Sequence, residues 1–560
     1  MSSRSWGRFG TVAAAVGLSL SLIASGCSSG GKDSTSKDKG STATPASSGS
    51  PSIAASKQPE ERLKMSLFMA NSGLQLPNGI DQNDNPFINI IKDYANVDLK
   101  VEVPSWQDFK TKLALLLSSG DLPDVLHSPY SADVLPAADQ GAFLDLKKYY
   151  DKSPIIQKYI TPEMMEMAKS PSGHYYRIPM SQVERPQGRG LVVRYDLVQK
   201  YNGGKWPESI DEWVKLMRAI HQADPSATVL SNRVVGDYGL TYGGIAIFWL
   251  YGAQPYNVRV QDGKVLNTFV LPEYRAAVSL MKQLYNEGIL DKEFATNDAN
   301  KWNDNFLNKN VLMWTDNADQ IFGTAQTRKA GKESPNTTTQ TLLFAPPLKT
   351  FPTELKNPKY AEPQLSVPIN DHGLYISSKS KNPDRAWKII EGFASDQLRE
   401  AIFWGKQGET YTVQNNVRTP IADKLADPNR SWSLQLALVR GFADGQDVKK
   451  GTNDQLLGAD YSKQQYDSVN ALAELAKKNG VPFSSMAKLS DDASKKQAET
   501  IRFITEATVQ AIMGKITMEQ FDEKVKQFNT TYGFIYDEYT KYLKDHKDEL
   551  LKIGIKDAGW

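Results

Sequence analysis

The chain has 560 residues, of which 66 are Lys or Arg, 64 are Asp or Glu, and one is Cys. This near balance of charge excludes a broad basic surface for nucleic acid or another polyanion, and a single thiol excludes an intramolecular disulfide. A folded part of about 500 residues is more than one hydrophobic core normally accommodates, so we expect at least two lobes.

Residues 1–26 have the layout of a secretory signal peptide. Arg4 and Arg8 precede an apolar run at residues 12–23, and the small residues 24–26 follow it. A basic start, an apolar run and a small-residue site in this order are typical of export signals. The apolar run is too short to span a bilayer core of about 30 Å comfortably, so we expect export instead of a permanent membrane span.

The only cysteine stands directly after these small residues. The sequence "ASGC", ending at Cys27, resembles the lipobox of bacterial lipoproteins, although Ala24 stands where Leu is preferred. The resemblance implies a protein that acyl chains on Cys27 hold at the extracytoplasmic face of the bacterial cell membrane. An ordinary signal peptide followed by an incidental cysteine is the alternative. Residues 27–60 are rich in Ser, Gly, Thr and Lys, which predicts a disordered tether.

Strand and helix patterns alternate at the start of the folded part. Apolar and β-branched residues predict strands at residues 63–69, 97–103 and 124–128. Helices are predicted between them, at residues 87–94 and after a capping box that begins at Ser105. Strands that alternate with helices favour a largely parallel sheet.

The same alternation continues to the end of the chain. After a crossover at residues 183–190, "GLVVRYD" is a predicted strand, and helices are predicted after the capping residue Ser209 and from Pro272. "HGLYIS" is another strand, and a helix opens at Pro383. Three helical stretches follow near the C-terminus, at residues 498–514, at 517–528 and up to about residue 551. The sequence therefore predicts an α/β fold with extra C-terminal helices.

Six segments in a fixed order point to a known family. They are "KLALLLSSGDLPDVL" (112–126), "GHYYRIP" (173–179), "VVRYDLVQKYNGGKWPESIDEW" (192–213), "AAVSLMKQLYNEGILDKEF" (276–294), "SKNPDRAWKIIEGFAS" (380–395) and "WGKQGETYTV" (404–413). Together they resemble the extracellular solute-binding proteins of ABC importers, family 1. The nearest subgroup is the long lipoproteins that serve oligosaccharide uptake.

The resemblance implies a two-lobed periplasmic-binding-protein-like α/β fold with hinge crossovers near Val183, near Ala345 and near residue 425. We expect lobe 1 to comprise residues 61–182 and 365–425, and lobe 2 to comprise residues 183–364 and 426–560. The family captures a small solute in the cleft between its lobes and delivers it to the permease subunits of an ABC transporter. The resemblance thus implies an oligosaccharide-binding monomer that is not an enzyme and needs no cofactor.

Aromatic platforms edged by polar groups suit the faces and hydroxyls of a sugar. Candidates lie where strands end at the cleft, the place that ligands occupy in open α/β sheets. The predicted ligand-binding residues are Asn71, Tyr130, Trp249, Trp314, Asp316, Trp404, Glu409, Tyr411, Phe442 and Asp444. Each tryptophan has a purely structural alternative, a place in the core.

Catalytic and metal motifs are weak by comparison. The chain has no His-Glu-x-x-His and no Gly-x-Ser-x-Gly sequence. A stretch from Asp81 resembles a calcium loop for five residues, but Pro86 and Lys92 stand where Gly and Glu are needed, so we expect no metal there. A surface-anchored glycosidase or lyase stays open as an alternative, because sequence does not exclude paired carboxylates. A ligand-presenting sensor protein is the third possibility.

Overall fold

The described part of the chain contains a five-stranded sheet, a three-stranded sheet, three two-stranded sheets and the helices between them. The computed structural model describes residues 61–70, 76, 79–170, 172–181, 188–318, 321, 341–365, 368–425, 427, 430, 446–481, 483 and 489–556. The signal peptide, the tether and the predicted residues Cys27, Asn71, Phe442 and Asp444 lie outside this range.

The described residues form fourteen strands and eighteen α-helices. The strands are β1 (Leu63–Phe68), β2 (Val97–Glu102), β3 (Val125–Ser128), β4 (Ile178–Ser181), β5 (Arg189–Arg194), β6 (Arg233–Val235), β7 (Tyr238–Thr241), β8 (Val258–Gln261), β9 (Lys264–Asn267), β10 (Met313–Asn317), β11 (Leu342–Phe344), β12 (Ile369–Ile376), β13 (Tyr411–Gln414) and β14 (Val417–Pro420). The helices are α1 (Pro86–Ala95), α2 (Trp106–Ser119), α3 (Ser131–Asp139), α4 (Lys147–Tyr150), α5 (Pro154–Gln157), α6 (Pro162–Ala168), α7 (Tyr195–Asn202), α8 (Ile210–Ala223), α9 (Gly243–Leu250), α10 (Pro272–Asn286), α11 (Ala299–Asn308), α12 (Pro383–Phe393), α13 (Asp396–Phe403), α14 (Ala422–Leu425), α15 (Gln446–Leu457), α16 (Ala459–Asn479), α17 (Asp491–Ile512) and α18 (Met518–Lys552).

Local chemistry explains where the predicted helices begin. The Ser105 hydroxyl accepts a hydrogen bond from the backbone N–H of Asp108 at 3.2 Å, which caps α2. The Ser209 hydroxyl caps α8 in the same way, through Glu212 N at 3.2 Å. α12 begins at Pro383, whose missing N–H costs nothing in the first turn. These three predicted helix starts are confirmed.

The first sheet has the strand order β2-β1-β3-β12-β4. β1 runs parallel to both β2 and β3, as the alternation of strands and helices predicts. β12 is antiparallel to β3 and to β4, and it begins at the edge where β3 ends. The carboxyl ends of β1 and β3 and the start of β12 therefore meet at one edge of this sheet.

The second sheet has the order β10-β5-β11, with both outer strands antiparallel to β5. The prediction of a largely parallel sheet is wrong here. Parallel pairing follows when a strand, a crossover helix and the next strand form one unit. In this sheet the strands that flank β5 come from much later in the chain, so the local alternation does not set their direction.

The C-terminal helices pack on the part of the molecule that contains the second sheet. α16 packs against β11, α17 against β7 and α10, and α18 against β9. α18 is one continuous helix, although the sequence predicts a break near residue 528. The largest hydrophobic cluster includes Met65 of β1, Leu191 of β5 and Phe528 of α18, so apolar packing connects both sheets and these helices.

None of the described helices combines the length and the apolar character that crossing a bilayer requires.

Candidate functional site

A cavity of about 740 Å³ lies in the part of the molecule that contains the second sheet. Its wall comes from the start of β5, the β6–β7 hairpin, α9 with the segment after it, and the two last helices. The aromatic lining residues are Tyr238, Tyr242, Trp249, Tyr256 and Tyr536. The amide and hydroxyl lining residues are Thr241, Gln254, Asn257, Asn267, Ser494, Gln497 and Thr500. Aromatic faces mixed with uncharged polar groups are suited to a sugar.

Two tyrosines of this wall have unusual backbone conformations. Tyr242 has φ 42° and ψ −112°, and Tyr256 has φ 68°. The other described residues with positive φ, glycine aside, are all Asn or Asp, which tolerate that region better. Bulky residues with positive φ are rare, and such strain is concentrated at ligand-binding and active sites. The backbone thus singles out the cavity independently of its lining chemistry.

The turn that positions Tyr242 depends on two glycines. A Cβ on Gly243 would stand 2.2 Å from the Ser231 carbonyl oxygen, and one on Gly244 would stand 2.4 Å from Asn232 Oδ1. The chain therefore approaches itself closely just as α9 begins. The Tyr242 ring stacks on Trp302 at a centroid distance of 5.7 Å. The turn and this stack together fix the direction of the tyrosine.

Tyr256 is held by hydrogen bonds. Its hydroxyl accepts from Leu240 N at 3.2 Å and lies 2.7 Å from Thr505 Oγ1. The Tyr256 ring meets Tyr238 edge to face at 5.0 Å. Burial raises the pKa of Tyr256, so its hydroxyl stays protonated near neutral pH. The aromatic wall is thus organised before any ligand arrives.

Arg189, the first residue of β5, carries the only charge among the described residues that line the cavity. Its Nε is buried and has no hydrogen-bond partner. Burial lowers the pKa of the Arg189 guanidinium, while the nearby Asp316 and Tyr242 oppose that shift. None of the described lining residues is an Asp or a Glu. The electrostatic character of the wall is therefore positive.

A second polar group of residues occupies the first-sheet edge where β3 ends and β12 begins. His127 Nε2 and His372 Nδ1 are 3.2 Å apart, and Ala70 N donates to His127 Nδ1 at 3.3 Å. Arg177 Nη1 donates to the carbonyl oxygen of His372 at 3.1 Å. Asp371 contributes to the raised pKa of Tyr238, after desolvation and Asp237. Asp371 is therefore near enough to Tyr238 of the cavity wall to interact with it electrostatically.

Two predicted ligand-binding residues lie at or beside the cavity. Trp249 lines it, with 9% of its surface exposed. Asp316 pairs in register with Gly190, next to Arg189. Tyr130 lies on the first sheet instead, where Lys110 Nζ is 4.2 Å from the centroid of its ring. Tyr130 begins the turn into α3 and is absent from the cavity lining.

The structure places four of the predicted residues away from the cavity lining. Trp314 is 2% exposed and meets Phe306 edge to face at 4.7 Å, so it belongs to the core behind the second sheet. Trp404 and Tyr411 pack on each other at 5.3 Å in a separate small cluster. Glu409 forms an exposed ion pair with Lys406 beside that cluster. None of the four is among the described residues that line the cavity.

Sequence reasoning missed most of the cavity wall. Arg189, Tyr238, Tyr242 and Tyr256 were not predicted as ligand-binding residues. The usable signal was the density of Tyr and Gly at residues 236–256, where a strand and turn pattern interrupts the helices. The contributions of α17 and α18 depend on long-range packing, which no local pattern reveals.

The stretch from Asp81, with its partial likeness to a calcium loop, caps a helix. The Asn85 side chain accepts from the backbone N–H groups of Phe87 and Ile88 at the start of α1. Lys92 Nζ donates to the Asn83 carbonyl oxygen, which places a cation of the protein itself against the loop. The described residues contain no group of three or more side chains suited to hold a metal ion.

Comparison with known proteins identifies the family to which the sequence belongs. Residues 81–399 match the family described as bacterial extracellular solute-binding protein. Lipoprotein LipO of Bacillus subtilis is 22% identical over 482 residues, which cover 80% of this chain and 86% of LipO. FusA of Streptococcus pneumoniae, a fructooligosaccharide ABC transporter substrate-binding protein, is 27% identical over 35% of this chain and 39% of its own length.

A solved structure shows the fold. An HMO-binding, ABC-transporter-associated solute-binding protein from Bifidobacterium longum infantis has a TM-score of 0.66 and 18% identity, covering 86% of this chain and 99% of that one. The predicted two-lobed α/β fold is confirmed. The family match spans more than half of the sequence, and the chain belongs to the bacterial extracellular solute-binding proteins.

Proposed function

We propose that this protein captures an oligosaccharide between its two lobes and delivers it to an ABC permease. The observation that carries the proposal is the cavity of about 740 Å³, with five aromatic side chains and a set of amides and hydroxyls in its wall. Sugar rings stack on aromatic faces while their hydroxyls hydrogen-bond to amides. The relative FusA, a fructooligosaccharide ABC transporter substrate-binding protein, supports a carbohydrate ligand.

Ligand capture depends on two surfaces, one on each lobe. The cavity lies in the second-sheet lobe, and the edge that carries Asp371 and His372 lies on the first sheet. A ligand that contacts both surfaces favours the closed arrangement over the open one, and the difference in affinity drives closure. A permease can distinguish the closed form from the empty one.

The lobe boundaries are part of this proposal. Lobe 1 comprises residues 61–182 and 365–425, and lobe 2 comprises residues 183–364 and 426–560. The sheet assignments support these limits, because β4 and β5 belong to different sheets, and so do β11 and β12. The chain passes between the sheets after Ser181 and again between Phe344 and Ile369.

The membrane anchor and the partners complete the proposal. Cys27 is lipidated, residues 27–60 are the tether, and the protein acts as a monomer beside its permease without catalysing a reaction. The relative named lipoprotein LipO supports the anchor. A Cys27→Ser variant expressed in a bacterial host should leave the membrane fraction for the medium or periplasm.

Calorimetry against a panel of oligosaccharides tests the binding function. The panel contains fructose, xylose, galactose and uronic acid oligomers of three to five units, and each sugar is recovered and weighed by mass spectrometry. Intact recovery of a bound sugar supports capture. Shortened products would support a surface glycosidase or lyase, and a panel without any binder would contradict the proposal.

Paired variants locate the site. Tyr238 lines the cavity and is 42% exposed, so Tyr238→Ala should weaken binding by about 1 to 3 kcal/mol with little loss of stability. Trp106 is 38% exposed on α2 and absent from the cavity lining, and Trp106→Ala is the matched control. Equal affinities for both variants would place the ligand elsewhere.

A further inference from the structure

We infer that the ligand is an acidic oligosaccharide and that Arg189 binds a carboxylate on one of its sugar units. The inference rests on the proposed function and adds the chemical class of the ligand. Its starting point is a cation in the cavity wall with a buried Nε that has no hydrogen-bond partner among the described residues. A neutral sugar would bring no counter-charge to this guanidinium in the closed cleft.

Other arginines of the second lobe have carboxylate partners of their own. Arg194 donates from Nε and Nη2 to the two carboxylate oxygens of Asp196, at 3.3 and 2.6 Å. Arg275 donates in the same fork to Asp522, at 2.6 and 3.0 Å. Arg189 has the same donors without such a partner at Nε. The fork of a guanidinium matches a carboxylate in two parallel hydrogen bonds.

The surroundings of Arg189 keep its charge available to a ligand. Asp316 is close enough to attract the guanidinium, but it is absent from the cavity lining, and Nε stays unpaired. Arg233 lies against the same wall, with its guanidinium 5.3 Å from the centroid of the Tyr242 ring. Arg189 is thus the one charged side chain among the described lining residues, Arg233 packs on the Tyr242 ring beside it, and no described lining residue is a carboxylate.

Burial makes this arrangement costly without an anion. A buried donor that lacks a hydrogen bond costs about 1 to 3 kcal/mol, and more when it carries a charge. A ligand carboxylate would supply both the missing acceptor and the counter-charge. A hydroxyl of a neutral sugar can accept from Nε but brings no counter-charge, so an acidic sugar removes more of this cost and is favoured.

The test compares sugars that differ only in their carboxylates. The first pair is the α-1,4-linked galacturonic acid trimer and its carboxyl-reduced galactose counterpart, and the second is the β-1,4-linked mannuronic acid trimer and the matching mannose trimer. Isothermal calorimetry at low ionic strength should show at least one acidic trimer binding about 10- to 100-fold more tightly than its neutral counterpart, the range that a charge-assisted pair supplies.

Variants at Arg189 separate this inference from the proposed function. Arg189→Gln should remove the preference for the acidic trimer, and Arg189→Lys should retain part of it. Arg218→Gln removes the same charge from an exposed ion pair with Glu287 and should change neither affinity. Tight binding of neutral trimers alone, or an unchanged preference in Arg189→Gln, would overturn the acidic ligand while leaving oligosaccharide capture intact. If neither class of trimer binds, the acidic ligand is overturned, and oligosaccharide capture fails as well only if the fructose and xylose oligomers also do not bind.

Discussion

At the scale of single residues, burial decides which aromatic side chains are available to a ligand. Trp314 and Trp249 both follow apolar segments, and sequence alone assigns them the same role. In the structure Trp314 is enclosed by Trp302 and Phe306, whereas Trp249 borders the cavity. The two tryptophans differ because Trp302 and Phe306 of α11 pack against Trp314 on β10. The sequence around Trp314 does not reveal this packing.

Replacing Trp314 should therefore affect stability more than binding. Trp314→Ala removes a side chain that is 2% exposed and leaves a cavity, which should lower the free energy of unfolding by about 3 to 5 kcal/mol. Urea denaturation measures this loss, with the exposed Trp106→Ala as the control. A loss below 1 kcal/mol together with weakened sugar binding would return Trp314 to the ligand site.

The paired histidines of the first sheet make stability depend on pH. Because His127 Nδ1 accepts from Ala70 N, its proton is on Nε2 and points toward His372 Nδ1. Desolvation, with a smaller effect of Arg177, lowers the pKa of His372 to about 4. Desolvation and then His372 hold the pKa of His127 well below its ordinary value. Both rings are neutral in the folded protein near neutral pH.

Acidification should destabilise the fold through this pair. Between about pH 6.5 and 4 the unfolded chain binds protons that the folded chain does not, so the free energy of unfolding falls as the pH falls, and the full stability is present above pH 6.5. The loss is on the order of 3 kcal/mol for His372 alone.

Urea denaturation at several pH values between 7 and 4.5 measures this loss. The double variant His127→Gln, His372→Gln should show a flatter dependence on pH than the parent protein. His546, which pairs with Glu549 on the surface, supplies the control His546→Gln. Parallel curves for the double variant and the parent would show that the pair contributes nothing.

At the scale of secondary structure, local signals predict where elements begin better than how they pair. Ser105, Ser209 and Pro383 lie at predicted helix starts because capping involves only the next few residues. The directions of β10 and β11 depend on partners more than a hundred residues away in sequence. Long-range pairing of this kind has no local signature, so the antiparallel second sheet was not predicted.

Gly533 tests the continuity of the last helix. It lies inside α18, it is not among the positive-φ residues, and a Cβ there would have no atom within 4 Å. Gly533→Ala should therefore raise the free energy of unfolding by about 0.5 to 1 kcal/mol, since alanine loses less backbone entropy on folding. Thermal and urea denaturation both measure the gain.

Gly252 provides the opposite case for the same substitution. Its φ is 62°, and a Cβ would stand 2.9 Å from the carbonyl carbon of Tyr360. Gly252→Ala should destabilise the protein by more than 1 kcal/mol. A destabilising Gly533→Ala would instead indicate that α18 bends or breaks near residue 528, where the sequence predicts a break.

At the scale of the whole molecule, family resemblance predicted the fold more completely than residue patterns did. Strand and helix patterns gave α/β character, while the two-lobed arrangement came from six short segments in order. The ligand surface was the least predictable part, because its wall combines Arg189, the β6–β7 hairpin and two C-terminal helices that lie far apart in sequence. Only folding brings them together.

Closure of the two lobes should be visible as a change in overall size. A ligand that contacts the cavity and the first-sheet edge brings the lobes together, so small-angle scattering of the protein without its tether should give a smaller radius of gyration once the bound oligosaccharide is added. At a free ligand concentration of 100 Kd, linkage also adds about 2.7 kcal/mol to the free energy of unfolding.

Asp371 lies on the first-sheet edge, outside the described cavity lining, so Asp371→Ala should reduce the contraction more than it reduces the affinity. Stabilisation without any contraction would mean that the ligand occupies one lobe alone, and the permease would then have to recognise the sugar itself instead of a closed protein.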